Sequence, residues 1–529
     1  MHLRRMAIGL IATTTTLIAS TTTGLAAEPR PELQPEDGVL VRYDGEKVVR
    51  VQIRTKADFD LLNELSDDMW SHHAEVGHPA DFRVSAEALE RLDAAGVPYT
   101  VLIDDLQALV EAERARLLDR PGVGADGTFF DDYRTLDEVS DYVDTLVGLR
   151  PDLVERIEVG TSLRGRSIFG MRITSGTPGD RPAVLIHGCQ HAREWITVMV
   201  NMYLADQFVR AYGTDPTITD LIDSVEFIVI PVVNPDGYEY TWTDNRMWRK
   251  NRRSWYGVDL NRNWDYGWGG PGSSGFRFSE TYRGAAPFSE PETAALRDFF
   301  IANPHIAAHI DFHSYSQLIL YPWGYTDDLS PAHDFFDLIS ARMAEAIEAV
   351  HGEEYIYGPS YSTIYPASGV SDDWTYGDQG VLGLAYELRD TGRYGFILPP
   401  DQIIPNGEEI LPAMVELGQF VAEPSPPLGL EASDFVAGQA ATMTASDALA
   451  DSVVYFAYSV LGGGSTPVVL LDIELDLRNP LLAGIDRADG AGVATLSRPV
   501  PGGTAGATVW LQAAQYGTKS PVVQRVIMN

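Results

Sequence analysis

His191-Ala-Arg-Glu194 follows the apolar run Ala183-Val-Leu-Ile-His-Gly-Cys189 and precedes a helical pattern over 195–212. A short apolar run that gives way to a 3.6-residue period reads as a buried strand turning into a helix. Open α/β sheets place ligands beyond the carboxyl ends of their strands. In such a turn, an imidazole and a carboxylate three residues apart reach one metal ion together. Alone, His-x-x-Glu arises by chance in a chain of 529 residues. Its weight here comes from what surrounds it.

Outward from that turn, strands and helices alternate. Strands are expected at 183–189, 225–232, 306–313 and 382–388, and helices at 136–149, 195–212, 290–303 and 333–350. This alternation predicts an α/β unit, a mixed and mostly parallel sheet with helices on both faces. Ser289-Glu-Pro-Glu292 has the spacing of a capping box with proline early in the helix. A small α+β unit precedes it. There, 39–43 and 48–53 read as strands about a turn at Asp44-Gly45, with helices at 57–65 and 86–95, a strand at 99–103 and an exposed charged helix at 106–118. Pro121 to Gly127 reads as a linker. Pro424-Ser-Pro-Pro427 marks a second boundary. Beyond it, alternating runs at 453–458, 467–473 and 507–512 predict a small β-sandwich. The expected domains are therefore 28–120, 121–423 and 424–529.

The N-terminus reads as a signal peptide over 1–27. Arg4 and Arg5 precede an apolar stretch, and Leu25-Ala26-Ala27 supplies small residues for cleavage. The expected location is secreted, extracellular and off the membrane. The formal charge of −36 argues against nucleic acid and anionic membranes as partners. Cys189 is the only cysteine, so no intrachain disulfide is available. It is either a small buried strand residue or a thiolate ligand.

A catalytic zinc takes three protein ligands and keeps one position for water. His191 and Glu194 supply two. His313, closing the run 306–313, is the expected third. His309 competes, but along a strand the two histidines stand about 13 Å apart and cannot share one ion. His309 is then a core or subsite residue. Zinc chemistry also needs a base. Glu387 ends the strand 382–387 and suits that role; otherwise it is an ion-pair partner for Arg389 or Arg393. Arginines cluster in Asn245-Arg-Met-Trp-Arg-Lys-Asn-Arg-Arg253 and Asp259-Leu-Asn-Arg-Asn-Trp264. Guanidinium groups match carboxylates and oxyanions. The alternative is a solvated basic loop.

Together these segments resemble the zinc metallocarboxypeptidases of the carboxypeptidase A/B type, in a secreted bacterial proenzyme form. The resemblance rests on His191-Ala-Arg-Glu-Trp195, Asn245-Arg-Met-Trp-Arg-Lys250, Val258-Asp-Leu-Asn-Arg-Asn-Trp264, Ser279-Glu-Thr-Tyr282, Ile310-Asp-Phe-His-Ser-Tyr-Ser-Gln317, Thr363-Ile-Tyr-Pro-Ala-Ser-Gly369 and Tyr386-Glu-Leu-Arg-Asp-Thr-Gly-Arg-Tyr-Gly-Phe396. It implies one Zn2+ per catalytic domain, held by His191, Glu194 and His313; two histidines and a glutamate are the ligand set of carboxypeptidase A itself. It implies that Glu387 is the general base and that Arg249 polarises the scissile carbonyl. It implies that Asn261, Arg262 and Tyr365 clamp the substrate's terminal carboxylate. Arg193 would line a neighbouring subsite, and Asp259 would orient the first histidine.

The resemblance also makes the first unit an activation peptide. It would cover the cleft until an activating protease cuts, with Arg114-Ala-Arg116 as an exposed candidate site. Asp372 matches a pocket-floor position that is acidic in B-type enzymes, which implies a preference for C-terminal Lys or Arg or a broad A/B specificity; as plain chemistry it also suits a helix cap. Asp311 stands where the family more often has a small residue, which would reshape the pocket. The expected partners are peptide or protein C-termini, acted on by a monomer. Two other readings stand beside this one: a peptidase of murein stem peptides, and a catalytically dead binding protein, which the full set of catalytic residues disfavours.

Overall fold

The computed structural model describes residues 40–66, 68–71, 76–120, 128–422, 427–450, 452–468, 471 and 473–529. The expected signal peptide, the linker 121–127 and residues 424–426 of the second boundary lie outside them. Among the described residues no helix is long and apolar enough to cross a membrane.

An eight-stranded sheet carries the site. Its order is Ile356–Pro359, Leu318–Tyr321, Leu382–Leu388, Ile306–Ser314, Ala183–Gly188, Glu226–Ile230, Ser167–Ile173, Val154–Thr161. The four central strands, Leu382–Leu388 to Glu226–Ile230, run parallel, and antiparallel pairings begin on either side of them. Every residue of Ala183–Gly188 and Leu382–Leu388 is buried. That explains why they read as continuous apolar runs: parallel strands covered on both faces do not alternate. Helices Trp195–Ala211 and Ile403–Ala422 pack together over the sheet. Helix Pro291–Ala302 packs against Val154–Thr161, and the core around Trp264, Leu296, Phe300 and Trp374 fills that layer.

The first unit is a four-stranded antiparallel sheet with helices Lys56–Leu65, Ala86–Ala95 and Leu106–Asp119. Three expectations change there. Residues 40–43 form no strand: Val41 N donates to Asp244 O (2.8 Å) and Tyr43 N to Gln107 Oε1 (2.6 Å), so other partners use that backbone. Pro79–Val84 is a strand that pairs with Lys47–Gln52. Helix Leu106–Asp119 is exposed along one face, at Glu111, Ala112 and Asp119, and buried along the other. Its Glu113 is buried, accepting from Arg246 Nε (2.6 Å), and Arg116 forms a bidentate pair with Asp132 (3.0 Å). The expected cut site Arg114-Ala-Arg116 is thus helical and, at both arginines, half-buried.

The capping box at 289–292 does not form either. Glu290 is the N-cap and its side chain makes no cap hydrogen bond. Glu292 accepts from Leu163 N (2.9 Å) and Asn251 Nδ2 (3.2 Å) instead. After residue 427, a three-stranded and a five-stranded sheet share one core of Met443, Val454, Phe456, Leu496 and Leu511. The expected strand at 467–473 is divided: Gly463–Val468 and Ile473–Leu477 pair as the two arms of a hairpin.

Candidate active site

The strand Ala183–Gly188 ends at Cys189, which takes a left-handed φ of 59° and is fully buried. It turns the chain so that 190–194 lie across the sheet's end. Glu194 is the N-cap of helix Trp195–Ala211, yet its carboxylate caps nothing. Oε1 lies 2.9 Å from His191 Nδ1, and Oε2 lies 3.1 Å from His313 Nδ1. The neighbouring parallel strand Ile306–Ser314 delivers His313. The Nδ1 atoms of His191 and His313 lie 3.0 Å apart.

Candidate ligand atoms of His191, Glu194 and His313 all lie within 4.8 Å of one another, and all three residues are buried. Two imidazole nitrogens and a carboxylate that converge so closely, with at most a proton between them, suit one cation at their centre. The far nitrogen of His191, Nε2, meets Asp259 Oδ1 at 3.0 Å. Asp259 Oδ2 accepts from Arg249 Nη2 (2.9 Å). Burial works against ionising Asp259, but Arg249 and then His191 hold its carboxyl well below the usual range. Cys189 is outside this group: burial pushes its thiol up, so it is a core residue and no thiolate.

Glu387 sits one position before the end of Leu382–Leu388, opposite His313 in the register of the two strands. Burial first, and then the Glu194 carboxylate, raise its pKa well above the ordinary range, against the pull of His313 and Arg249. A cation among the ligands adds positive charge that counters this rise. Arg389 is not its partner; that guanidinium donates to Glu409 and Gln402.

A cavity open to solvent is lined by His191, His313 and Glu387 together with Asn261, Arg262, Tyr365 and Asp372. Arg262 donates from Nε to Gly272 O (2.8 Å) and from Nη1 to Asn261 O (2.7 Å), while Nη2 is buried without a hydrogen-bond partner. Its guanidinium lies 5.6 Å from the Tyr365 ring centre. Gly369, at φ +77°, lets the chain pass Arg262: a Cβ there would stand 2.6 Å from Arg262 O. Asp372 is 2% exposed in helix Ser371–Gly377, whose N-cap is Val370, so it is no cap. Burial, and then Asp311, raise its pKa to about 6. Asp311 does not line this cavity but lies beneath it.

The basic stretch is no solvated loop, since Arg246, Arg249, Lys250 and Arg252 are all buried. His309 is likewise internal, 2.9 Å from His187 and 3.1 Å from Thr375, away from the ligand cluster. Arg193 is already engaged: its Nη1 donates to both carboxylate oxygens of Asp68 (2.9 Å each), and it lies 4.1 Å from the Phe396 ring centre. Trp70 packs on Phe396 (5.0 Å), and Tyr315 Oη donates to Asp81 Oδ2 (2.9 Å). The first unit thus reaches the rim of the site through Asp68, Trp70 and Asp81. None of these was legible, because no local pattern marks contacts made 125 and 234 residues away or further.

Residues 139–413 match the family described as zinc carboxypeptidase, and residues 49–113 match the carboxypeptidase activation peptide. The chain belongs to the zinc carboxypeptidase family. It is 38% identical over 400 residues to carboxypeptidase A1 of Sus scrofa, covering 72% of this chain and 95% of that protein. Two solved structures agree in fold, each at 31% identity and over 72% of this chain. Thrombin activatable fibrinolysis inhibitor has a TM-score of 0.67 over 99% of its length, and carboxypeptidase A from Helicoverpa armigera has 0.64 over 98%. This zinc carboxypeptidase is therefore a hydrolase of the carboxypeptidase A type with an activation peptide, and a binding protein without activity is set aside. The relatives are carboxypeptidases A, which does not favour the murein stem-peptide alternative. The relatives named here are eukaryotic and lend no support to the bacterial origin expected from the sequence.

Proposed function

We propose that the chain is the secreted, monomeric proenzyme of a carboxypeptidase that removes C-terminal lysine or arginine. In this proposal a signal peptide at 1–27 precedes a pro-segment at 28–120, a catalytic domain at 121–423 and a C-terminal domain at 424–529. The observation that carries it is the buried Asp372 carboxylate on the same cavity as the zinc ligands and Arg262. A cationic side chain entering there pairs with a carboxylate already out of water.

Zinc, held by His191, Glu194 and His313, supplies Lewis-acid polarisation and acidifies water. The chain's own residues do the rest. Arg262 Nη2, Asn261 and Tyr365 take the terminal carboxylate, and this fixes which peptide bond reaches the reacting end of the cavity. A C-terminus lacking a free carboxylate leaves Arg262 Nη2 buried without a hydrogen-bond partner. Glu387 accepts a proton from the attacking water at its carboxylate and passes it to the leaving amine nitrogen as the C–N bond breaks. Arg249, held by Asp259, faces the charge that develops on the carbonyl oxygen.

The test compares kcat/KM on otherwise identical peptides ending in Lys and in Phe, using activated enzyme. The reading predicts Lys above Phe, with the ratio falling at least tenfold in Asp372→Ala. An unchanged ratio removes Asp372 from specificity.

A further inference from the structure

We propose that Asp311 is a positioning residue of the metal centre: its carboxylate holds the proton on His313 Nε2, leaving the Nδ1 lone pair for the ion. This rests on the reading of His313 as a zinc ligand. The ring offers Nδ1 to the cluster, 3.1 Å from Glu194 Oε2, so its proton belongs on Nε2 and needs an acceptor. Two groups lie 3.0 Å from Nε2: Asn261 Nδ2 and Asp311 Oδ2. Asn261 is no acceptor there. Its Oδ1 accepts from Ser371 N (3.0 Å), which turns its amide nitrogen toward His313. With Nδ1 given to the ion, the proton on Nε2 has Asp311 Oδ2 as the acceptor of the two, and the Asn261 amide, itself a donor, gives up its hydrogen bond to that nitrogen.

The placement follows from the strand. Residues 311 and 313 lie two apart on Ile306–Ser314 and so share a face. Asp311 is in turn held by neighbours on other elements. Ser371 Oγ donates to Oδ2 (2.6 Å), Gln190 Nε2 donates to the same oxygen, and His187 Nδ1 lies 3.2 Å from Oδ1. Both hydrogen bonds fall on Oδ2 and fix that oxygen beside His313, whereas Oδ1 has no hydrogen-bond partner. Each histidine of the cluster has a carboxylate oxygen 3.0 Å from its far nitrogen, hydrogen-bonded at His191 to Asp259 and standing as an ion-pair contact at His313. Such partners orient ligand rings and raise their basicity, and losing one costs about 10–100-fold in metal affinity. Ser371 also begins the helix that carries Asp372. One carboxylate thus ties the metal centre to the wall of the specificity pocket.

The competing account is that Asp311 only balances the buried pair His187 and His309. Zinc affinity separates the two. The full chain is stripped of metal, and its zinc dissociation constant is measured by competition with a chromophoric chelator for wild type, Asp311→Asn, Asp311→Ser and His313→Ala. The proposal predicts 10–100-fold weaker binding for both Asp311 variants and a still larger loss for His313→Ala. It also predicts an altered absorption spectrum of cobalt(II) bound to Asp311→Asn. Asp311→Ser is the second probe if the asparagine variant does not fold. An Asp311 variant that folds, binds zinc within twofold of wild type and changes only the metal-free Tm overturns the proposal alone. His313→Ala within twofold of wild type overturns the ligand reading beneath it.

Discussion

Arg262 is the clearest case of a residue whose surroundings define its task. A guanidinium 1% exposed, with Nη2 unpaired, is costly unless an anion completes it. Arg262→Ala should cost roughly 3–5 kcal/mol in transition-state binding, lowering kcat/KM on free C-termini a hundredfold or more. Equal activity of the variant would refute the clamp. Asp372 yields a prediction with a sign. Its pKa rises on folding from 3.8 to about 6, so this group's contribution to stability is full below pH 4 and is lost as pH rises through 6. The rise corresponds to about 3 kcal/mol. Asp372→Asn should therefore raise Tm at pH 7.5 and leave it unchanged near pH 3.5. Hydrolysis of Lys substrates should fall below pH 6 relative to Phe substrates, because the pocket acid gains its proton. At this scale the sequence was informative where a residue sits at the end of an element: His191, Glu194, His313 and Glu387 all do. It was silent on Asp68 and Trp70, which act only through contacts far along the chain.

Elements were legible in proportion to how little their neighbours overrule them. The buried strands at 183–188 and 382–388 carry short, largely apolar runs that match their burial on both faces. The capping box at 289–292 failed because Glu292 found Leu163 and Asn251, partners absent from any local window. The strand expected at 39–43 failed likewise, its amides being taken by Asp244 and Gln107. Helix Ser371–Gly377 sits close on the strand Leu382–Leu388 because Gly383 has no side chain: a Cβ would stand 2.6 Å from Asp372 O. Gly383→Ala should displace that helix and raise KM for Lys peptides more than it lowers kcat. The first unit makes its own prediction. Asp68→Ala strips the buried Arg193 of its carboxylate, and a broken buried pair costs about 3–5 kcal/mol. The uncleaved variant should hydrolyse short peptides faster than the uncleaved wild type, with mass spectrometry confirming an intact chain. Equal rates would mean that this contact does not restrain the enzyme.

Across the whole molecule, the catalytic region is contacted by both of the other units. The C-terminal sheets lean on the catalytic region through Tyr516, stacked on Phe335 at 4.6 Å, and Tyr455, whose Oη donates to Pro331 O (2.6 Å). That docking could not be read from composition, which showed only a change in texture after residue 424. The central claim is that His191, Glu194, His313 and Glu387, drawn from three stretches of chain, act together on a free C-terminus with zinc among them. The most direct test follows one peptide ending in Lys by mass spectrometry with activated enzyme, before chelation, after it, and after adding back one zinc per chain. The account predicts loss of the single terminal lysine, its disappearance on chelation and its return with zinc. Trimming that continues in metal-free enzyme, or cleavage within the peptide instead of at its end, would contradict it.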